Sequence, residues 1–166
     1  MTLPKEKIDV GSVSLASVSL CGGATLNLWS AGVATETEGE YMLALAPHQT
    51  AVIGRQEGGE IEYLDPAFQP TQMLPGAEQP IVACARQGAD TFVSRGHFML
   101  KGDVDGILLV NGVPRRGGGI RTPLNGTRMI APQDRTMTEA EEWLIPRGDS
   151  VRLRLPNHLI VCIAAN

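Results

Sequence analysis

Short apolar runs separated by turn-forming residues fill the sequence from residue 41 onwards. Each run has four to six residues, and glycine, proline, asparagine and aspartate stand between the runs. Runs of this length suit β-strands, because helices need longer periodic segments. Nine such runs predict an all-β domain, either a sandwich or a barrel. The nine are Tyr41–Ala46, Thr50–Ile53, Glu60–Leu64, Pro80–Cys84, His97–Lys101, Gly106–Val110, Thr127–Ile130, Ser150–Leu155 and His158–Ile163.

The amino-acid composition suits a chain of strands and turns. Of the 166 residues, 19 are glycine and 11 are proline, a larger share than in average proteins. The hydrophobic fraction of 43% is enough to bury a core, which excludes wholesale disorder. We expect one main domain of ordinary size.

The first 39 residues differ in pattern from the rest. Residues 13–20 alternate apolar and small polar side chains, and residues 25–29 do so again after a double-glycine turn, which indicates a possible extra hairpin. The segment 34–40 is polar and acidic, as a linker would be. The sequence therefore predicts an N-terminal extension over 1–39 and a β-domain over 40–166.

Two later segments carry specific local predictions. The segment 136–144 contains a Thr-x-x-Glu capping box before Pro146, which predicts one short helix of about two turns. Residues 151–155 alternate aliphatic side chains with Arg152 and Arg154, so both arginines should face outward from a strand.

Charge and composition exclude several classes of function. The net charge is −4 and aromatic residues are only 4%, which argues against a nucleic-acid partner. No apolar run reaches the length of a membrane-spanning helix, and the first residues lack the order of a secretory signal. Three cysteines and three histidines lie scattered, which favours free thiols and no metal site. We expect a cytoplasmic protein with no cofactor and no membrane partner.

Four polar motifs each adjoin a predicted strand, where a loop can project side chains. Arginine offers a permanently charged fork of donors that can bind two phosphate oxygens at once. Serine adds a compact hydroxyl, and asparagine adds an amide that can hold a peptide backbone. These residue types predict a site for an anionic ligand. The motifs are Gly54-Arg55, Ser94-Arg95-Gly96-His97, Asn125-Gly126-Thr127 and Gly148-Asp149.

In order and type, the four motifs resemble the pattern of the forkhead-associated (FHA) domain family. That pattern runs Gly-Arg, Ser-x-x-His, Asn-Gly-Thr and then Gly-Asp before a late strand. The resemblance covers about residues 40–166 and implies a sandwich of two twisted, mainly antiparallel sheets. It also implies a non-catalytic signalling module that binds phosphothreonine in a partner protein, and an upstream Ser/Thr kinase that supplies the phosphate.

The resemblance also implies a role for each matching residue. Arg55 and Ser94 would bind the phosphate, and Arg95 would add a charge beside it. Asn125 would hydrogen-bond the peptide main chain next to the phosphothreonine. Four residues would serve the architecture of the motifs, and they are Gly54, His97, Gly126 and Thr127.

Two spacings exceed those of the family. Residues 56–93 separate the first two motifs, and residues 128–147 separate the last two. The surplus implies insertions near 69–89 and 131–146, the second of which would hold the short helix.

Three alternatives stay open from the residues alone. Leu124 stands where the family usually has Ser or Thr, so the chain could be a degenerate member that acts as a phosphate-independent structural or assembly domain. Ser94 and His97 are also the residue types of a small hydrolase, although no orienting acid or Gly-x-Ser-x-Gly elbow accompanies them. Asn111-Gly112 is a rival for the third motif, but it lacks the threonine and comes earlier in the chain.

Overall fold

The described strands of this protein form two large sheets and one short hairpin. The computed structural model describes residues 14–20, 25–30, 33–38, 40–55, 65, 81–85, 92–156, 158 and 160–166. The strands of this part are β1 Ser14–Leu20, β2 Thr25–Ser30, β3 Val33–Glu38, β4 Glu40–Leu45, β5 Thr50–Arg55, β6 Ile81–Ala85, β7 Phe98–Asp103, β8 Gly106–Val110, β9 Val113–Pro114, β10 Ile120–Arg121, β11 Arg128–Ala131, β12 Arg135–Thr136, β13 Glu142–Pro146, β14 Ser150–Arg154 and β15 Ile160–Ala165.

Most of the predicted strands are confirmed. Eight of the nine apolar runs coincide, within two residues at each end, with β4, β5, β6, β7, β8, β11, β14 and β15. The ninth run, Glu60–Leu64, lies outside the described residues. The alternation in β14 is also confirmed, because Val151 and Leu153 are buried while Arg152 and Arg154 are exposed.

The two sheets are mainly antiparallel and differ in size. One has six strands in the order β12-β11-β14-β15-β1-β4, and the other has seven in the order β13-β8-β7-β5-β6-β2-β3. Only the β5–β6 pair among the described strand pairs is parallel. β9 and β10 form a separate two-stranded hairpin.

One hydrophobic core joins the inner faces of the two sheets, so the architecture is a β-sandwich. Full burial of each large apolar side chain contributes about 1.5–3 kcal/mol. The six-stranded sheet supplies Ala16, Val18, Leu45, Met129, Val151, Leu153, Val161, Ile163 and Ala165. The seven-stranded sheet supplies Ala51, Ile53, Phe98, Leu100, Ile107, Leu109 and Ile145.

The N-terminal strands belong to these sheets. β1 pairs with both β15 and β4, and its Ala16 and Val18 are fully buried in the shared core. β2 pairs with β3 and with β6 at the far side of the other sheet, so the hairpin here is β2–β3 rather than β1–β2. The acidic segment from residue 34 lies mostly within β3. The boundary at residue 40 itself stays a prediction.

Strands also occur in the segments expected to be insertions. β6 falls near 69–89 and lies between β5 and β2 in the seven-stranded sheet. β12 and β13 fall within 131–146 and form edges of the two sheets.

The structure replaces the predicted helix over 136–144 with a turn followed by β13. Ala140 has a φ of 52°, which a right-handed helix does not allow, and the Glu141 N–H donates to the Thr138 carbonyl at 3.2 Å. Glu141 does accept a hydrogen bond from the Thr138 N–H at 2.9 Å, so the capping-box contact forms locally. This contact closes a turn, because the residues that follow pair with β8 instead of continuing a helix. Within the described ranges, no helix has the length and apolar character needed to cross a bilayer.

Candidate functional site

The first two motifs meet where β5 ends and β7 begins. The Arg55 N–H donates to the Ser94 carbonyl at 3.1 Å, and the His97 N–H donates to the Ile53 carbonyl at 3.0 Å. These two backbone hydrogen bonds continue the β5–β7 ladder, in which Ile53 faces Phe98. The loop that carries Ser94 and the strand end that carries Arg55 are therefore neighbours, although residues 56–93 separate them in sequence.

Gly54 allows this close approach. A Cβ atom at this position would lie 2.6 Å from the Ser94 carbonyl oxygen and closer still to that of Arg95. Both obstacles are backbone atoms, so any larger residue would have to push the 94–95 backbone away. Because Gly54 has no side chain, the loop of the second motif can pack directly against β5.

The imidazole of His97 connects the second and third motifs. Its Nδ1 accepts from the Ser94 N–H at 3.1 Å, so the proton of the neutral ring lies on Nε2, which donates to the Gly126 carbonyl at 2.9 Å. Burial lowers the pKa of His97 from 6.5 to about 4, against a smaller opposing effect of the hydrogen bond to Gly126. The ring is therefore neutral at physiological pH and holds two loops in fixed positions.

Asn125 adds a second connection between the same loops. Its Nδ2 donates to the Phe92 carbonyl at 2.9 Å, and the side chain is exposed. An asparagine amide has two N–H donors and an acceptor oxygen, so this hydrogen bond leaves polar capacity for a ligand. The turn that presents Asn125 is closed by the Gly126 N–H, which donates to the Pro123 carbonyl at 3.1 Å, and Gly126 has a φ of 74°.

The remaining predicted residues differ in exposure. Arg55, Ser94 and Arg95 are half-buried at the junction, while Thr127 is buried beneath the turn. Leu124 is 79% exposed, so its side chain extends into solvent and does not fill the hollow between the loops. The backbone hydrogen bond from Arg55 to Ser94 places Arg55, Ser94 and Arg95 at one junction, and the Asn125 amide contacts the loop that carries Ser94.

Two motifs lie elsewhere. Gly148 and Asp149 form the turn between β13 and β14, where the Gly148 N–H donates to the Ala165 carbonyl at 2.7 Å. This turn follows Pro146, which pairs with Gly106 at the end of β8 farthest from Phe98, so it lies at the opposite end of the sandwich. The rival Asn111 is fully buried and donates through Nδ2 to the Thr138 carbonyl at 2.9 Å. Asn125, and not Asn111, therefore contacts the loop that carries Ser94.

The geometry does not suit a Ser–His hydrolase. Both ring nitrogens of His97 are engaged by backbone groups, the Ser94 N–H and the Gly126 carbonyl. A base with a pKa of about 4 accepts a proton from a hydroxyl poorly. Within the described ranges, no three His, Cys, Asp or Glu side chains form a cluster that could hold a metal ion.

A groove that the motifs did not predict borders the Asn125–Thr127 turn. It has a volume of about 210 Å³, and its further lining includes Arg128, Thr136, Arg154 and His158. Sequence reasoning placed Arg154 on an outer face but gave neither arginine a role. The position of Arg128 directly after the third motif is the signal that could have indicated it.

The chain was compared with protein families, curated proteins and solved structures. No protein-family model matches the chain, and the comparison with curated proteins found no match. A solved structure described as "Rv0020c_FHA Structure" is 19% identical, covers 92% of this chain and 94% of its own, and superposes with a TM-score of 0.41. The alignment with that structure extends over nearly the whole length of both chains.

Proposed function

We propose that this protein is a non-catalytic, FHA-like module that binds phosphothreonine in a partner protein. The observation that carries the proposal is the meeting of the three motifs at one end of the sandwich. The hydrogen bonds from Arg55 to Ser94 and from His97 to Gly126 support it, because loops joined in this way can present their side chains to one ligand.

Arg55 and Ser94 would bind the phosphate in this proposal. Arg55 offers two parallel N–H donors, which match two phosphate oxygens. Arg95 would add positive charge beside them, and the exposed amide of Asn125 would hold the peptide backbone. An affinity in the micromolar range, about −8 kcal/mol, is expected for contacts of this kind. The module would act in the cytoplasm, where a Ser/Thr kinase supplies the mark.

The test is calorimetric binding of a peptide library with a fixed central phosphothreonine, compared with the same library without phosphate. We expect binding of the phosphorylated library alone. Arg55→Ala should weaken it at least about a hundredfold, because two charge-assisted hydrogen bonds are lost.

Arg152→Ala is the matched control, because Arg152 is an exposed arginine on the outer face of β14. It should leave the affinity unchanged. Equal binding of both libraries would contradict the proposal and favour a phosphate-independent assembly domain. An Arg55→Ala variant with wild-type affinity would contradict it as well.

A further inference from the structure

Two arginines face each other on the outer side of the six-stranded sheet. Arg128 of β11 and Arg154 of β14 are directly opposite in the antiparallel register, and both are exposed. Side chains at such positions share one face and lie close together, so like charges there repel. The chain as a whole has a net charge of −4, so two adjacent positive charges at this place contrast with the negative net charge of the protein.

Only one of the two charges is neutralised among the described residues. Arg128 donates through Nε to Asp134 at 2.9 Å and forms an ion pair with it at 2.8 Å. No ion pair or side-chain hydrogen bond to a described residue engages the guanidinium of Arg154.

Both arginines line the groove beside the Asn125–Thr127 turn. Thr127 lines the same groove and is only 2% exposed, yet its hydroxyl has no hydrogen-bond partner among the described residues. A buried hydroxyl without a partner is costly in a folded protein, and a ligand that reached it would remove that cost. His158, whose φ is 67°, stands at the turn between β14 and β15 and completes the polar lining.

We infer that this groove is a second anion-binding site, which takes an oxyanion, either a phosphoryl group or a carboxylate. The Arg154 guanidinium would provide the main charge, the Thr127 hydroxyl a buried hydrogen bond, and Arg128 additional charge. Because the groove and the Arg55 junction share the Asn125–Thr127 turn, the anion belongs to the same partner as the phosphothreonine. That last assignment rests on the proposed function, whereas the oxyanion site does not.

The first experiment uses inorganic phosphate and follows the backbone amide signals of Arg154, Leu155 and His158 by NMR. We expect saturable shifts of these signals in the 166-residue chain. Arg154→Ala should weaken the affinity about tenfold or more, as the loss of a charge-assisted hydrogen bond predicts. Arg152→Ala, two residues away on the same strand and face, should leave it unchanged.

Thr127→Val separates a ligand role from a structural role. The substitution removes the unpartnered hydroxyl at almost constant volume, so the thermal midpoint should stay equal or rise. The phosphate affinity at the groove should fall several-fold at the same time. Absent amide shifts, equal effects of Arg154→Ala and Arg152→Ala, or unchanged phosphate affinity in both Arg154→Ala and Thr127→Val would overturn the inference.

Two further binding experiments identify the chemical source of the anion. Acetate in place of phosphate tests whether a carboxylate suffices, and phosphothreonine libraries with glutamate or alanine flanks test whether the partner supplies it. We expect the glutamate flank to bind more tightly in the wild type and to lose this advantage in Arg154→Ala. If Arg55→Ala abolishes peptide binding but keeps the phosphate shifts at His158, both proposals hold. If peptides fail to bind any variant while those shifts persist, the proposed function fails and the oxyanion site remains.

Discussion

At the scale of single residues, His97 is the most informative of the described side chains. It is fully buried, its two ring nitrogens bond to two different loops, and its pKa is lowered to about 4. A buried neutral histidine makes the free energy of unfolding depend on pH, because its imidazole binds a proton in the unfolded chain and stays neutral in the folded chain.

The direction of this pH effect follows from the pKa of His97, which is 6.5 in the unfolded chain and about 4 in the folded chain. Between pH 6.5 and about 4, the unfolded state binds more protons than the folded state. The contribution of His97 is therefore complete above pH 6.5 and is lost as the pH falls towards 4, in total about 3 kcal/mol. Urea denaturation from about pH 7.5 to 4 should show the free energy of unfolding decreasing across this window.

Two variants test whether the pH dependence of the free energy of unfolding comes from the His97 imidazole. His97→Gln should remove it, whereas His48→Asn, at an exposed position with a φ of 71°, should retain it. A slope that persists in His97→Gln would contradict a buried neutral imidazole.

Leu124 offers a residue-scale test of phosphate binding. It is 79% exposed, so substitution there costs no core packing. Leu124→Thr would restore the hydroxyl that the FHA pattern usually has at this position, and we expect phosphopeptide affinity to rise about tenfold. Leu124→Ala, which shortens the side chain without adding a hydroxyl, is the control for calorimetry. Equal affinities of the two variants would place position 124 outside the site.

At the scale of elements, sequence patterns predicted strands well and irregular segments poorly. The alternation of Val151 to Leu155 determines β14 by itself, because one face of the strand must be buried. The segment 136–144 was mispredicted because the same Thr-x-x-Glu contact can begin a helix or close a turn. Pairing of β13 with β8, which depends on residues some 35 positions away, decides between them.

The candidate site was predictable to a similar degree. The resemblance carried by the motifs predicted that Arg55 and Ser94 act together, and the structure shows that their backbones are hydrogen-bonded neighbours. Their binding of a phosphate stays a prediction. The groove at Arg154 was not predictable, since it arises from the register of β11 against β14. Register depends on pairing across the sheet and cannot be read from either strand alone.

The turn before β13 depends on Glu141. Its carboxylate accepts hydrogen bonds from the Thr138 N–H and hydroxyl, and it forms an ion pair with Arg135. The hydrogen bond from Arg135 is the main reason that the pKa of Glu141 is lowered to about 2. The carboxylate is therefore ionised through the physiological range, and its stabilising contribution is lost only as the pH falls from 4.5 towards 2.

Glu141→Gln should therefore lower the free energy of unfolding by about 1–2 kcal/mol at pH 7. Glu139→Gln, an exposed change in the same turn, is the control and should have little effect. Thermal unfolding of the two variants side by side makes the comparison. Equal midpoints would show that the turn does not need the Glu141 carboxylate.

At the scale of the whole molecule, the sandwich places the four motifs at two opposite ends. The loops with the first three motifs lie at one end, and the Gly148–Asp149 turn lies at the other. The sheets between them have one shared core to which β1 contributes.

The place of β1 leads to a prediction about truncation. A chain that begins at residue 40 would lack the strand that lies between β15 and β4, and the core would lose Ala16 and Val18. We expect this truncated chain to show no cooperative unfolding by circular dichroism, unlike the full chain. A cooperative transition in the truncated chain would support residues 40–166 as an independent domain and contradict a structural need for β1.

The position of the His97 ring has a kinetic consequence. Because the imidazole holds the two loops together from within the protein, the ligand of the proposed site would meet loops that already have their bound arrangement. Docking then requires little reordering of the backbone, and association at about 10⁵–10⁷ M⁻¹s⁻¹ is expected, as for other rigid partners. For the proposed site, selectivity between two ligands would then be set by residence time, the time for which each ligand stays bound.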